Sequence, residues 1–219
     1  NLGLGSEGLD DLHRAITAYQ YALEFVPDQV KALKRLGAIR YKQGQASEAV
    51  ALLQQAQSTA IDDRGVAYAA ILALQLDGQF AAAITACQKE LAAQPGADLY
   101  NILGECYEES AQTELALAAY RQSLDLDPNF VPAHRGLARL SGQAGHHQTA
   151  FASSEKIIAL GQADTHDYAN LGNLYFRTGA LGEAEAAYRE AIRLDPGQAA
   201  SHHDLAVVLR TLQRPDEAA

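Results

Sequence analysis

An alanine recurs along this chain at a nearly constant spacing of 34 residues. The series is Ala15, Ala49, Ala83, Ala116, Ala150, Ala184 and Ala218, with one interval of 33 residues after its third member. A second series keeps the same step and the same short interval, at Leu2, Leu36, Ala70, Leu103, Leu137, Leu171 and Leu205. Two columns that share a one-residue deletion indicate an internal repeat. A repeat of this length predicts a solenoid of stacked helical units.

Further columns follow the same period. Glycine comes directly after the second series at Gly3, Gly37, Gly104 and Gly172, and a turn glycine precedes the alanine by five residues at Gly44, Gly78, Gly145 and Gly179. One helical turn after the alanine lie Tyr19, Leu53, Cys87, Tyr120, Ser154 and Tyr188. Four units close on a proline, at Pro27, Pro95, Pro128 and Pro196. Together these columns resemble the tetratricopeptide repeat (TPR) over the whole chain, and this resemblance specifies a fold much more than a function.

The unit from Tyr168 to Pro196 shows how such a repeat folds. Leu171 and Leu174 belong to an apolar run of helical period before Gly179, and a second such run follows that glycine. Pro196 ends the second helix because proline lacks the amide hydrogen that a helix requires. Glycine and alanine columns let two helices cross closely, while tyrosines and leucines fill the space beside them. We therefore predict an all-α, right-handed α-solenoid (superhelix) of antiparallel helix pairs, with about seven TPR units.

The sequence contains no long linker rich in glycine, serine or proline, so we predict a single TPR array over 1–219. The predicted units are 1–29 (partial), 30–63, 64–96, 97–130, 131–164, 165–198 and 199–219 (partial). Repeat three departs from the pattern at Ala70 and Ile71, where the large and the small residue have changed places. The total volume changes little, so the core is expected to tolerate the exchange.

Both ends of the chain read as parts of repeats. The start resembles the middle of a first helix and lacks an initiator methionine, while Pro215 and the acids after it read as a helix N-terminus. We therefore expect a fragment of a longer protein. The last first helix carries an apolar stripe, formed by Leu205, Val208, Leu209 and Leu212. Another chain or further sequence is expected to cover this stripe, and self-association through exposed terminal helices is a second prediction.

Composition and charge exclude several classes of function. The net charge of −10 argues against nucleic acid as the partner, because phosphate binding requires a basic face. The uncharged apolar stretch of residues 65–76 is too short to span a bilayer, so no direct membrane insertion is expected. Cys87 and Cys106 fall at core columns and are interpreted as small buried hydrophobes, with a disulfide between them left open. The compartment is also open, with the cytoplasm favoured.

No residue pattern indicates catalysis, a metal or a cofactor. The adjacent pairs His146-His147 and His202-His203 point about 100° apart on a helix, which does not make a zinc clamp. The acidic cluster around Glu105 has no histidine or cysteine at ligand spacing and reads as a solvated face. Phosphate-binding loops, nucleophile elbows and dinucleotide motifs are absent from the sequence. We therefore predict a protein that is not an enzyme and needs no cofactor.

The family resemblance implies that the first helix of each repeat lines a concave groove. Matching positions carry basic side chains in repeat two, acids in repeat four, and arginines with asparagines in repeats five to seven. The residues predicted to bind a partner are Lys31, Lys34, Arg35, Lys42, Arg135, Arg139, Asn170, Asn173, Arg177 and Arg210. Such a set suits an acidic protein or peptide segment, because arginine pairs with carboxylates and carboxamides bond the peptide backbone.

Two narrower resemblances compete within this set. Asn1, Lys31 and Arg35 match the spacing of the last three residues of the carboxylate clamp in TPR co-chaperones. Asn1 and Asn170 occupy the column of the asparagine ladder of O-linked N-acetylglucosamine transferases, with Asn101 one residue off. Other residues break that column, namely Arg35, Ala69, Gly136 and Asp204. For any single position, an ordinary solvated groove residue is the favoured interpretation.

The predicted function is that of a non-catalytic protein-protein interaction scaffold that holds a partner segment or peptide in its concave groove. One alternative is a TPR arm that recruits substrates for a larger enzyme, such as a glycosyltransferase whose catalytic domain lies beyond Ala219. A self-assembling scaffold is the other alternative. The identity of the partner is not predicted.

Overall fold

The described part of the chain is built from helices. The computed structural model describes residues 2–61 and 63–213, with side chains from residue 11 onward in those ranges. These residues contain twelve helices and no strand. The helices are α1 (Leu2–Phe25), α2 (Val30–Lys42), α3 (Ala46–Thr59), α4 (Arg64–Leu76), α5 (Phe80–Ala93), α6 (Ala97–Glu109), α7 (Thr113–Leu126), α8 (Val131–Gln143), α9 (His147–Ala159), α10 (Thr165–Thr178), α11 (Leu181–Leu194) and α12 (Ala199–Thr211).

Tight turns join the two helices of a repeat at the turn-glycine column. The column glycines with positive φ, between 73° and 83°, are Gly44, Gly78, Gly145 and Gly179. Glycine adopts this left-handed conformation without a Cβ clash, so the chain can reverse within two or three residues. As a result α3 packs along α2, α9 along α8 and α11 along α10.

Close packing of the helices depends on the small residues of two columns. The fully buried members of the alanine column are Ala49, Ala83, Ala116, Ala150 and Ala184. A Cβ added to Gly37 would lie 2.7 Å from Cγ of Leu53, and one added to Gly172 would lie 2.8 Å from Cε1 of Tyr188. Carbon atoms do not approach that closely in a packed interior, so glycine is required there. The predicted all-α fold of packed helix pairs is confirmed.

The first repeat differs from the predicted pattern. α1 continues from Leu2 to Phe25, through the position at which a turn is expected between two helices. Asp10 holds that position in place of glycine. The lack of glycine does not by itself account for the continued helix, because Ala111 holds the same column in repeat four and the chain turns there.

The chain forms two compact units. Unit 1 comprises the residues up to Pro95 together with Cys106–Ala111, and unit 2 comprises Gly96–Glu105 together with the residues from Gln112 onward. In unit 1, a buried cluster of Leu33, Ala56 and Val66 joins α2, α3 and α4. In unit 2, Ala184, Tyr188 and Val208 form a cluster that joins α11 to α12. The division of 1–219 into a single array of repeats stays a prediction.

The apolar stripe of α12 packs inward within unit 2. Val208 and Leu209 are buried, and Leu205 and Leu212 lie half-buried against the cluster around Tyr188. The described residues therefore offer no open apolar face at this stripe. The expected covering helix falls on residues 214–219, which lie outside the described residues, and self-association stays a prediction.

The two cysteines are packing residues of unit 1. Both side chains are fully buried, and no disulfide joins Cys87 to Cys106. Burial raises the pKa of the Cys87 thiol to about 12, and the neighbouring Cys106 adds to the increase. Both observations agree with their interpretation as small buried hydrophobes. Ile71 and Ala70 of repeat three are buried as well, so the exchanged pair is accommodated in the core. Among the described helices, none has both the length and the apolar character to cross a membrane.

Candidate partner-binding site

Three predicted cations of repeat two line one pocket in unit 1. Lys31, Lys34 and Arg35 share one face of α2, whose opposite face buries Leu33 and Leu36. The pocket has a volume of about 560 Å³ and also contacts α4. Lys31 and Arg35 are exposed and form no ion pair within the described residues. These two cations are thus available to a ligand.

The third cation of this pocket is bound within the unit. Lys34 Nζ donates to Asp63 Oδ1 at 3.0 Å. Asp63 also accepts a hydrogen bond from the backbone amide of Val66 and caps the N-terminus of α4. These bonds, that from Lys34 above all, hold the pKa of the Asp63 carboxyl below its usual value. Lys42 lies exposed at the end of α2 and does not line the pocket. Asn1, the first member of the clamp resemblance, is outside the described residues.

Arg135 of α8 is bound inside unit 2 by acids at the start of α10. Its Nε and Nη2 donate to the two carboxylate oxygens of Asp167 at 3.0 and 2.8 Å, and Nη2 lies 2.9 Å from Asp164 Oδ2. The carbonyl of Gln162 accepts another hydrogen bond from Nη2. The bonds to Asp167 raise the pKa of Arg135 above its usual value. Arg135 therefore fixes α8 to the start of α10, and these bonds occupy much of its guanidinium.

Arg135 and Lys34 occupy the same column of the repeat and make equivalent bonds in their separate units. Each cation binds an aspartate that lies 29 residues later and caps the next first helix, Asp63 for Lys34 and Asp164 for Arg135. Sequence reasoning assigned both cations to a partner. The aspartate at the N-cap of the following first helix could have indicated this pairing, because aspartate is a common capping residue.

Four of the predicted residues surround a pocket between α8 and α10, in unit 2. The pocket has a volume of about 240 Å³. Its polar lining consists of Arg139, Gln143, Ser154, Asn170, Asn173 and Arg177. No carboxylate belongs to the described residues that line it. We call it the Ser154 pocket, after the residue that α9 contributes.

Hydrogen bonds fix two of these side chains at the rim. Arg177 Nη1 donates to the carbonyl of Gly142 at 2.9 Å, near the end of α8. The hydroxyl of Tyr188 donates to Oδ1 of Asn173, also at 2.9 Å. Asn170 is exposed and makes no side-chain hydrogen bond with the described residues. The pocket thus presents positioned N–H donors and one carboxamide open to a ligand.

A second pocket beside α8 has a lining of mixed charge. It has a volume of about 200 Å³ and is lined by Glu105 together with Arg135 and Arg139. Asn101, which the ladder resemblance places nearby, donates to Glu105 at 2.8 Å and is buried. Arg139 lines this pocket and the Ser154 pocket alike.

The other polar residues singled out in the sequence have no place in these pockets. Arg210 is exposed on α12 and lines none of the three. His202 places Nε2 3.0 Å from the carbonyl oxygen of Pro196, six residues earlier. Within residues 2–61 and 63–213, no group of three or more His, Cys, Asp or Glu side chains could hold a metal ion.

Comparison with known proteins independently supports the same fold. Family models described as tetratricopeptide repeat match residues 5–64, 97–130 and 168–198, together more than half of the chain. A tetratricopeptide repeat protein from Parabacteroides merdae has a TM-score of 0.75 at 19% identity, covering 96% of this chain and 84% of that one. YrrB, described as a TPR protein with an unusual peptide-binding site, has a TM-score of 0.65 at 18% identity, covering 85% of this chain and 96% of its own. Likeness at such identity establishes the fold alone.

The curated relatives are matched over only part of their own length. The human protein O-mannosyl-transferase TMTC1 is 29% identical over 222 residues, which is 99% of this chain and 25% of that protein. The uncharacterized protein ycf37 of Pyropia yezoensis is 36% identical over 64 residues, 29% of this chain and 36% of that protein. The chain thus spans about a quarter to a third of the length of these relatives. Because the repeat columns, the helix pairs and the family matches agree, this chain belongs to the tetratricopeptide repeat family.

Proposed function

We propose that this TPR chain is a protein-interaction scaffold that binds an acidic segment of a partner protein along the first helices of repeats five and six. The observation that carries the proposal is the pocket between α8 and α10, which collects Arg139, Asn170, Asn173 and Arg177 from two repeats. Arginine forms charge-assisted hydrogen bonds with carboxylates, and carboxamides bond both the N–H and the C=O of a peptide. The proposal assigns no catalysis to these residues.

Arg135 has a different part in this proposal from the one expected from the sequence. Its ion pair with Asp167 and Asp164 joins α8 to α10, the two helices that flank the pocket. A rigid frame favours binding because the pocket then loses little conformational freedom when a ligand arrives. Arg135 is therefore proposed to position Arg139 and Asn170 rather than to contact the partner.

The cationic pocket of unit 1 is the competing site. Lys31 and Arg35 are exposed there, while Lys34 is paired with Asp63. An acidic ligand can bind such a pair of cations, although flexible exposed side chains lose entropy when they are held. The Ser154 pocket is preferred because a hydrogen bond already positions Arg177.

The test begins with the capture of partners from a lysate on the immobilised 219-residue chain, followed by identification by mass spectrometry. Binding of the purified partner is then compared for Arg139→Ala/Arg177→Ala and for Lys31→Ala/Arg35→Ala. Arg121→Ala serves as the control, because Arg121 is exposed on α7, away from both pockets. We expect the first pair alone to lose about tenfold or more in affinity, since a charge-assisted hydrogen bond contributes roughly 1.5–3 kcal/mol.

Other outcomes assign the binding elsewhere. If only Lys31→Ala/Arg35→Ala loses affinity, the site is the unit 1 pocket and the role of the Ser154 pocket is refuted. If both double variants bind as the unchanged chain does, partner binding does not use the first helices at these positions. Loss in Arg121→Ala as well would indicate a general effect of charge, which added salt would screen.

A second candidate function rests on the match to TMTC1, which covers nearly all of this chain. We propose as the alternative that the repeats recruit substrates for a larger enzyme that transfers a sugar. Sequence flanking the chain in its genome tests this alternative, because a glycosyltransferase domain encoded in the same reading frame would support it. Capture of acceptor proteins together with sugar transfer by the longer chain would support it further.

A further inference from the structure

The Ser154 pocket exists because one repeat lacks the bulky residue of its column. In the repeats before and after it in unit 2, the same column holds Tyr120 and Tyr188, which are both fully buried. Each ring fills the space beside its first helix. The side chain of Ser154 is too small to fill this space, and the space next to it is the pocket of about 240 Å³.

The neighbours of Ser154 have changed with it. Tyr120 fits because it lies against two glycines, Gly104 and Gly136, where an added Cβ would collide with the ring. The residues at the equivalent positions around Ser154 are Ala138 and Asn170. Both line the pocket, so they narrow the gap without filling it. This repeat thus differs from the repeat of Tyr120 at three columns, and an open, polar cavity stands in place of the packed ring.

The chemistry of the cavity selects a carboxylate. Arginine has five N–H donors. Among the described residues, Arg177 forms one side-chain hydrogen bond, from Nη1 to the carbonyl of Gly142, so its remaining donors can bind a ligand. Asn170 has a carboxamide without an internal partner in the same residues. Arg139 adds a second positive charge to the lining, and Leu174 provides an apolar wall for a short aliphatic stem.

We infer that the Ser154 pocket is a subsite for a single carboxylate of the partner, bound by Arg177 and Asn170 where other repeats bury a tyrosine. The inference rests on the proposed function, because it specifies what the acidic segment places between α8 and α10. A glutamate side chain and the C-terminal carboxylate of a peptide share this chemistry. The pocket around Glu105 differs from the Ser154 pocket because a carboxylate belongs to its lining.

The test uses capped peptides as probes, so that it does not depend on the natural partner. Binding of acetyl-Gly-Glu-Gly-amide, acetyl-Gly-Gln-Gly-amide and acetyl-Gly-Gln-Gly with a free C-terminus is followed by ¹⁵N–¹H NMR titration of the 219-residue chain. The glutamine amide peptide is uncharged and nearly the same shape as the glutamate peptide, and the third peptide tests a terminal carboxylate. We expect one or both carboxylate peptides to bind about tenfold more tightly than the uncharged one. Shifts of the Ser154 and Asn170 amides are expected to accompany binding.

Variants locate the binding in the pocket. Ser154→Leu fills the cavity with the residue that the same column has at Leu53 in repeat two, and it is expected to weaken the carboxylate peptides about tenfold or more. Ser154→Ala leaves the cavity open and is the matched control, with unchanged affinity expected. Should Ser154→Leu lower the melting temperature and prevent the comparison, Arg177→Gln against Arg121→Gln provides the same test without filling the core.

Three results would overturn the inference. Equal binding of the charged and uncharged peptides would exclude selection for a carboxylate. Unchanged binding by folded Ser154→Leu, or by Arg177→Gln, would place the ligand elsewhere. Failure of the proposed function has a different signature: the carboxylate peptides bind as expected, but the captured partner binds Arg139→Ala/Arg177→Ala and the unchanged chain equally well.

Discussion

Arg135 and Asp167 form a two-point ion pair between α8 and α10, with N–O distances of 3.0 and 2.8 Å. The carboxylate is the buried partner, since the side chain of Asp167 is 8% exposed while that of Arg135 is 40% exposed. Asp167 also accepts a hydrogen bond from the backbone amide of Asp164. Removal of the arginine would leave a buried charge with less compensation, which is the costly way to break an ion pair.

We therefore expect Arg135→Ala to lower the free energy of unfolding by about 2 kcal/mol, a value reduced for the exposure of the arginine. Urea denaturation followed by circular dichroism measures this change. Arg193→Ala is the control, because its ion pair with Glu190 is exposed on one helix and contributes at most about 0.5 kcal/mol. Equal losses in the two variants would contradict the structural role of Arg135.

Gly136 provides a second test of the packing. Its added Cβ would collide with the ring of Tyr120, so Gly136→Ala is expected to lower the free energy of unfolding by about 1–3 kcal/mol. Gly182→Ala should instead raise it by up to about 1 kcal/mol, because Gly182 has open space around it within α11 and alanine favours a helix. Thermal unfolding measures both. If Tyr120→Leu does not relieve the loss in Gly136→Ala, the collision is not its cause.

The fold could be predicted because the same packing requirement recurs in several repeats of one sequence. A glycine that faces a tyrosine in one unit, as Gly172 faces Tyr188, recurs at the same spacing in others, so a single sequence carries several observations of one contact. The first repeat was harder to predict. There the turn position is Asp10, and the structure continues the helix through it.

The candidate site could be predicted only in part. The faces of the first helices follow from helical period, and this placed Arg139, Asn170 and Arg177 together correctly. Which side chains are paired within the chain depends on contacts between helices. The position of Arg135 in its repeat does not reveal that it is paired with Asp167. The cavity at Ser154 was also missed, although its sequence signal, a serine among tyrosines, was visible. A substitution in one column predicts a cavity only when the neighbouring columns are compared as well.

The ion pair between Lys34 and Asp63 predicts a pH dependence. The pKa of Asp63 is lowered in the folded chain, chiefly by the hydrogen bond from Lys34, so the ionised carboxylate stabilises the fold above the unfolded pKa of about 4. This contribution is lost as the pH falls below that value through the lower folded pKa. The stability difference between the unchanged chain and Asp63→Asn should thus be constant above about pH 5 and shrink below about pH 4.

Urea denaturation at a series of pH values measures that dependence. The double-mutant cycle with Lys34→Met separates the ion pair from the capping bond to Val66, because only the capping bond survives when the lysine is removed. If Asp63→Asn changes the free energy of unfolding by the same amount with and without Lys34, the pH dependence does not come from the ion pair.

Cys87 and Cys106 are expected to be inert in the folded chain. Both are fully buried, and the pKa of Cys87 is raised to about 12, so almost no reactive thiolate forms at pH 8. Reaction with Ellman's reagent should therefore be slow in buffer and complete in guanidinium chloride. Ser58→Cys, which places a thiol on the exposed face of α3, should react at once and is the control. Fast reaction of a native thiol would show that unit 1 opens readily around it.

Ala111 holds the turn-glycine column in repeat four and adopts the same left-handed conformation, with φ of 57°. The left-handed conformation destabilises alanine by about 1–2 kcal/mol. Glycine avoids this strain, but its greater loss of chain entropy on folding costs about 0.5–1 kcal/mol. Ala111→Gly is therefore expected to raise the free energy of unfolding by up to about 1 kcal/mol, measured by thermal and urea denaturation. Gly145→Ala, at the same column with φ of 83° and open space around it, should change stability in the opposite direction. A loss of stability in Ala111→Gly would mean that the alanine methyl group contributes more by packing than the turn loses by strain.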